Sequence, residues 1–92
     1  MKYQVQWTSQ FKKDYRLAIK RHLDIDELDQ VIRLLAAGKE LPEKYRDHAL
    51  TGNWTGFREC HIRPDWLLVY YYLDDQLVLT LSRTGSHSDL FD

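Results

Sequence analysis

The chain has 92 residues, of which 43% are hydrophobic and 13% aromatic, and its formal net charge is −1. This length predicts one domain, residues 1–92, with enough apolar content for a single core. A near-neutral charge does not by itself indicate a nucleic-acid partner. The apolar run at residues 67–73 is far shorter than the ~20 residues that span a bilayer, which argues against a membrane protein.

Cysteine content and the N-terminal residues bear on the compartment. The single cysteine, Cys60, excludes an internal disulfide and is typical of a reducing cytoplasm. Residues 2–6 lack the apolar segment of a signal peptide, so we predict a cytoplasmic location. Charge is unevenly spread: residues 1–21 carry a net +5, whereas residues 22–50 and 51–92 each carry −3. The basic first third is either a patch for a polyanion or a solvated helix face.

The first half of the chain predicts one strand and two helices. Residues 3–7 alternate apolar and polar side chains, as a half-buried strand does. Thr8 or Ser9 can cap a helix whose inward positions recur at helical spacing: Phe11, Tyr15, Ala18, Ile19 and His22. Asp24 suits the N-cap of a second helix and Gly38 its C-terminal stop. The two helices follow each other closely and therefore predict an antiparallel hairpin.

The second half predicts an antiparallel meander. Pro42 and the Gly52-Asn53 turn make residues 39–53 irregular. Three strands follow at residues 56–63, 66–73 and 76–83, separated by two-residue turns at Pro64-Asp65 and Asp74-Asp75. Ser86 or Ser88 can cap a short helical turn in the tail. The order β-α-α-β-β-β predicts an α+β fold: an N-terminal strand and a helical hairpin packed on a mostly antiparallel four-stranded sheet.

Side chains with chemical potential are predicted to meet at one edge of this sheet: His48, His61, Asp65, Arg83 and His87. His61 ends its strand beside the turn that carries Asp65. A two-residue turn after residue 73 places Arg83 roughly opposite Trp66, which brings His87 to the same edge. His48, in the irregular segment, can fold over that edge.

Such a set suits cleavage of RNA by its own 2′-hydroxyl, a reaction that needs a base, an acid and a cation but no metal. Histidine can act as base or acid because its pKa of ~6.5 lies near operating pH. Arginine presents a fork of donors that matches phosphate. Several aromatic side chains are candidate platforms for a splayed base: Tyr45, Trp54, Trp66 and Phe91.

Other interpretations fit the same residues. Taken singly, each histidine is more often a surface or structural residue than a catalyst. The set of His48, His61, Asp65 and His87 has acceptable zinc ligand types but lacks the short paired spacing of zinc motifs. Ser86 and Ser88 flank a histidine, yet no nucleophile-elbow pattern accompanies them. Spacing alone leaves a ribonuclease as one plausible reading.

Three segments carry a resemblance to a known family: KRHLDIDEL, DHALTGNWTGFRECHIRPDWLLVY and SRTGSHSDLF. The second and third are the more specific, with His-x-Leu-x-Gly-x-Trp, His-x-x-Pro-Asp-Trp and Arg-Thr-Gly-x-His-x-x-Leu-Phe. Over essentially its whole length the chain resembles the YafQ-type toxins of the RelE superfamily. The resemblance implies a RelE-like fold and a ribosome-dependent endoribonuclease that cuts mRNA in the A site. It also implies an antitoxin partner that wraps the toxin, binds DNA and represses the operon.

Carried over by position, the resemblance implies a catalytic set with neighbours and no cofactor or metal. The catalytic residues are His48, His61, Asp65 and His87; the substrate-binding residues are Arg83, Trp66 and Phe91. We expect His87 to form one half of the acid–base pair, with either His61 or Asp65 as the other half and His48 assisting. Two alternatives are a gyrase-binding toxin of the ParE type, which lacks a histidine cluster, and an inactive RNA- or protein-binding module.

Overall fold

The computed structural model describes residues 2–91, which form five strands and three helices. These are β1 (Gln4–Trp7), α1 (Ser9–Lys20), α2 (Ile25–Ala36), β2 (His48–Ala49), β3 (Arg58–Arg63), β4 (Trp66–Leu73), β5 (Val78–Gly85) and α3 (His87–Phe91). Single 3₁₀ turns occur at Glu43–Tyr45, Gly52–Trp54 and Asp74–Gln76.

The strands form one mixed sheet in the order β1-β5-β4-β3-β2. β1 runs parallel to β5, and the other neighbours are antiparallel. The predicted α+β fold, with an N-terminal strand and helices packed on a mostly antiparallel sheet, is confirmed. The predicted number of four strands is wrong, because residues 48 and 49 of the supposedly irregular segment pair with β3 as a fifth strand.

Local capping chemistry places both long helices where the sequence predicts them. Thr8 Oγ1 accepts from the Phe11 N–H at 3.0 Å, and Asp24 Oδ1 accepts from the Glu27 N–H at 3.2 Å. Gly38 has φ +73°, a left-handed conformation that costs glycine little and lets the chain leave α2.

Among residues 2–91 no helix has the length and apolar character needed to cross a membrane.

The sheet is covered on both faces, and the site lies at one end of it. On one face, apolar side chains of α1 and α2 pack against those of the strands and form the main core. Its members include Phe11, Leu28, Val31 and Leu35 from the helices and Cys60, Ile62, Leu68, Tyr70, Leu79 and Leu81 from the strands. On the other face, Leu90 of α3 packs with Leu67 and Val69. Beside them lie Leu50, Trp54 and Phe57 of the segment between β2 and β3, called the Trp54 segment below. The alternation along β3 sends Cys60 and Ile62 into the helix-side core.

The pairing of β4 with β5 differs from the predicted register. Leu73 pairs with Val78, because the turn between them is longer than two residues and Leu77 adopts a left-handed conformation. A β-bulge adds a further shift, so that Arg83 pairs with Val69. The prediction that Arg83 lies opposite Trp66 is therefore wrong, and β5 starts at Val78 and extends to Gly85.

Candidate active site

Three histidines from three separate segments lie in an arc at the β3–β4 end of the sheet. The ring centroids of His48 and His61 are 6.1 Å apart, and those of His61 and His87 are 5.7 Å apart. Each ring comes from a different element: β2, β3 and the start of α3. The structure thus brings together the three histidines that the sequence singles out, whereas the fourth, His22, follows α1.

Glu59 connects two of these histidines, and sequence reasoning assigned it no role. It is the direct cross-strand partner of His48, and it lies two residues before His61 on the same face of β3. Its Oε1 atom is 3.6 Å from His48 Nε2 and 3.2 Å from His61 Nε2. Glu59 is only 6% exposed, so this carboxylate has little access to water. The alternation along β3 indicates that Glu59 shares a face with His61, but no sequence pattern indicates that Glu59 pairs with His48.

Backbone carbonyls hold the other side of the same two rings. The Arg46 carbonyl oxygen is 2.7 Å from His48 Nδ1, and the Pro64 carbonyl oxygen is 3.3 Å from His61 Nδ1. A carbonyl oxygen can only accept, so each of these contacts is a hydrogen bond when Nδ1 of the ring carries the proton. Nε2 is then the nitrogen of each ring that faces Glu59. When Nε2 carries a proton as well, the ring is a cation and its contact with Glu59 is an ion pair.

Asp65 orients His87 from the turn between β3 and β4. Its Oδ1 atom accepts from the His87 backbone N–H at 2.9 Å and lies 2.6 Å from His87 Nδ1. The backbone N–H and then the imidazole of His87 lower the pKa of the Asp65 carboxyl, so the carboxylate form is favoured. With Nδ1 engaged, Nε2 of His87 remains for a reacting group. This is the carboxylate–histidine arrangement that fixes the tautomer of a general acid or base.

A cavity of about 540 Å³ opens beside His61 and His87. Its other lining residues are Glu27, Lys44, Tyr45, Arg46, Ile62, Arg63 and Pro64. The Tyr45 hydroxyl donates to Glu27 Oε2 at 3.3 Å, and Arg63 Nε lies 2.8 Å from Glu27 Oε1. The cavity therefore combines two imidazoles, three cationic side chains and one carboxylate, a composition that suits a polar, anionic ligand.

The three expected substrate-binding residues lie in different surroundings. Arg83 is not brought to the histidines: its Nε lies 2.7 Å from Asp14 Oδ2 on α1. Trp66 is 4% exposed, and its indole N–H donates to Thr84 Oγ1, so its ring offers no open face. Phe91 is 39% exposed, packs edge-to-face on Trp54, and lies one helical turn after His87 on α3.

One group of side chains has metal-ligand character. His48, Glu59 and His61 offer ligand atoms that lie within 4.8 Å of one another. Nitrogen and carboxylate ligands of this kind suit zinc or copper. Only two of these residues belong to the zinc set weighed from the sequence. Asp65 and His87 pair with each other instead.

The chain is a small α+β protein with a three-histidine site, and comparison with known proteins specifies its family. A family model described as a bacterial toxin of type II toxin–antitoxin systems, YafQ, matches residues 3–92. The chain belongs to this family.

Individual relatives agree with that assignment. The mRNA interferase toxin YafQ of Escherichia coli K12 is 41% identical over 88 residues, which is 95% of this chain and 94% of the relative. YafQ in the E. coli DinJ–YafQ complex superposes with a TM-score of 0.89 at 40% identity, over 98% of this chain and 99% of that one. A metal-bound toxin from Helicobacter pylori superposes with a TM-score of 0.92 at 40% identity, over 97% and 99% of the two chains.

Proposed function

We propose that this protein is an endoribonuclease toxin that cleaves mRNA in the ribosomal A site and so inhibits translation. The observation that supports it most directly is the pair formed by Asp65 and His87, with His61 5.7 Å away between ring centroids. Two imidazoles at this separation, one held by a carboxylate, can bracket a phosphodiester. The relative of E. coli K12 is an mRNA interferase, which supports RNA as the substrate.

The proposed reaction uses the 2′-hydroxyl of the substrate as nucleophile. One imidazole removes its proton, the 2′-oxygen attacks the adjacent phosphorus, and the bond to the 5′-oxygen breaks. A second imidazole protonates the departing 5′-oxygen, leaving a cyclic phosphate and a free 5′-hydroxyl. His87 is one member of this pair and His61 the other, once Nε2 of His61 leaves Glu59 for the substrate. Asp65 orients His87, while Glu59 and His48 hold His61.

Substrate positioning falls to the residues around this pair. Phe91 has an exposed ring on the same face of α3 as His87, so we propose that it stacks on a base of the codon. Trp66 is buried and positions the β4 end through Thr84 rather than stacking. Contact of Arg83 with phosphate stays a prediction that requires its ion pair with Asp14 to open.

An antitoxin is the proposed protein partner. The E. coli relative is solved as a DinJ–YafQ toxin–antitoxin complex, and this chain is similar to it over nearly its whole length. We propose that the cognate antitoxin wraps this toxin, binds DNA and represses their operon. The proposed site of action and of neutralisation is the cytoplasm.

Induced expression in bacteria, with primer-extension mapping of a reporter mRNA, tests the proposed activity. The parent chain is expected to arrest growth and to produce in-frame cuts that disappear when the start codon is removed. His87→Ala is expected to abolish the cuts. His22→Asn is the matched control: it removes the histidine outside the arc, and asparagine tolerates the left-handed backbone there (φ 58°).

Each outcome has a distinct meaning. Cuts by the parent and the His22 variant, but not by the His87 variant, support the proposed ribonuclease. Growth arrest without mRNA cuts would instead indicate a toxin that acts by binding, such as a gyrase inhibitor. Unchanged growth would indicate an inactive binding module.

A further inference from the structure

We propose that Arg46 is the cation that binds the scissile phosphate and stabilises its developing negative charge; this inference rests on the proposed ribonuclease function. The reaction needs such a cation, because charge accumulates on the non-bridging phosphate oxygens as the 2′-oxygen attacks. The sequence assigned this part to Arg83, which the structure places against Asp14. Another cation is therefore needed to bind the phosphate beside the three histidines.

The ion pairs among residues 2–91 leave few arginines for this role. Four guanidinium groups lie within 3 Å of a carboxylate oxygen: Arg21 at 2.8 Å from Asp89, Arg58 at 2.9 Å from Asp47, Arg63 at 2.8 Å from Glu27, and Arg83 at 2.7 Å from Asp14. Within the same described range, Arg46 forms no ion pair with a carboxylate. Arg16 and Arg33 are exposed on α1 and α2, and neither lines the cavity beside the histidines.

Arg46 does line that cavity, together with His61 and His87. Lys44 lines it too, with its ammonium 5.0 Å from the centroid of the Tyr45 ring. Arginine is the better match for a phosphorane, because its planar fork donates two parallel hydrogen bonds to two oxygens, whereas lysine acts as a point charge. We therefore assign the bidentate contact to Arg46, with Lys44 adding positive potential.

The backbone of Arg46 links this cation to the histidine arc. Arg46 has φ 49° and ψ 45°, a left-handed conformation that is uncommon for arginine. In this conformation its carbonyl oxygen lies 2.7 Å from His48 Nδ1. Arg46 thus contacts His48 through its carbonyl and, among residues 2–91, offers a guanidinium with no carboxylate partner through its side chain.

The first test compares Arg46→Asn, Arg46→Lys and Arg33→Gln in single-turnover cleavage of mRNA on programmed ribosomes. Asparagine removes the cation but suits the left-handed backbone, so the carbonyl contact to His48 is kept. We expect Arg46→Asn to lower the cleavage rate constant by ~100-fold, as loss of a charge-stabilising donor does. Arg46→Lys is expected to recover part of this loss. Arg33→Gln, which removes an equal charge elsewhere, is expected to cleave like the parent.

A second measurement does not depend on turnover. The guanidinium Nε–Hε resonance of Arg46 is followed by NMR while a 2′-O-methyl RNA trinucleotide, which lacks the nucleophile, is added to the parent protein. A saturable shift of the Arg46 signal, with no shift of Arg33, is expected. Equal Tm values for Arg46→Asn and the parent, measured in parallel, ensure that any lost activity reflects the side chain.

The outcomes separate this inference from the function on which it rests. If the parent cleaves and Arg46→Asn cleaves at the same rate, the assignment of Arg46 is overturned while the ribonuclease stands. An Arg46 resonance that does not respond to the trinucleotide also overturns it. If the parent and Arg33→Gln both fail to cleave, the proposed function falls, and the role of Arg46 in it falls as well.

Discussion

Glu59 is an ionisable side chain of the site that is almost completely buried. A carboxylate that is 6% exposed has lost most of its hydration, so it must be compensated by protein donors. Nε2 of His48 and Nε2 of His61 lie 3.6 and 3.2 Å from the same carboxylate oxygen, and a protonated ring at either position forms an ion pair with it. The two rings are therefore held relative to each other by a single buried group.

Replacing Glu59 by glutamine tests this at the residue scale. Glutamine keeps the shape but removes the negative charge that both Nε2 atoms face. We expect the rate constant for mRNA cleavage to fall ~10-fold or more, since charge-assisted hydrogen bonds contribute about 1.5–3 kcal/mol. Glu40→Gln, an exposed carboxylate outside the arc, is the control and should cleave normally. Parent-like cleavage by Glu59→Gln would show that the arc does not depend on this carboxylate.

The position of His87 depends on α3, because His87 is its first residue. A helix of five residues is too short to be stable alone. Its start is held by a reciprocal cap. Ser86 N–H donates to Asp89 Oδ2 at 3.0 Å, and Asp89 N–H donates to Ser86 Oγ at 3.0 Å. Arg21, just past the end of α1, donates to the same Asp89 Oδ2 at 2.8 Å. The position of His87 is thus tied to α1.

The stability that Asp89 contributes should depend on pH in a defined direction. The Arg21 guanidinium, then the Ser86 N–H, lowers the pKa of Asp89 from 3.8 to about 2. A carboxyl with a depressed pKa stabilises the fold fully above its unfolded value and loses that contribution as pH falls through the folded value. Asp89→Asn should therefore reduce the free energy of unfolding by up to ~1 kcal/mol at pH 7, because the pair is partly exposed.

Urea unfolding of the parent and Asp89→Asn at several pH values measures this. The difference between them should stay constant above about pH 4 and shrink towards zero as pH approaches 2. Asp75→Asn, an exposed carboxyl in the β4–β5 turn, should show no such difference. A gap between parent and Asp89→Asn that persists unchanged to pH 2 would contradict the assigned cause.

At the scale of the whole molecule, the sheet is closed on one face by two helices and on the other by α3 and the Trp54 segment. Cys60 lies in the helix-side core and is 0% exposed. Burial, more than the neighbouring carboxylates, raises the pKa of its thiol, so reactive thiolate is rare in the folded state. Reaction of Cys60 with a thiol reagent therefore reports opening of the core.

Labelling of Cys60 by a chromogenic disulfide reagent should be negligible in native buffer. It should become rapid over the same urea range in which tryptophan fluorescence reports unfolding, because exposure of this thiol needs the core to open. Chemically unfolded protein provides the reference rate. Rapid labelling without denaturant would show that the helices separate from the sheet under native conditions.

Most of the architecture could be predicted from the sequence, because its signals are local. Caps at Thr8 and Asp24, the stop at Gly38 and the alternation along β3 each depend on a few neighbouring residues. Two predictions failed because they depend on pairing between segments: residues 48 and 49 become a fifth strand only by pairing with β3, and a 3₁₀ turn after residue 73, a left-handed Leu77 and a bulge shift the β5 register. Such insertions depend on how two strands meet, and neither strand's own pattern reveals them.

The sequence by itself determined the α+β class, where the two long helices begin, the family and the residue types of the candidate site, including His48, His61, Asp65 and His87. Only the tertiary structure decided which of them meet. Cross-strand pairing brings Glu59 beside His48, and the turn after β3 brings Asp65 onto His87. The β5 register sends Arg83 to Asp14, while Arg46 lines the cavity without an ion pair to any carboxylate of residues 2–91. These contacts join distant segments, and a register difference of one residue moves a side chain to the other face of the sheet.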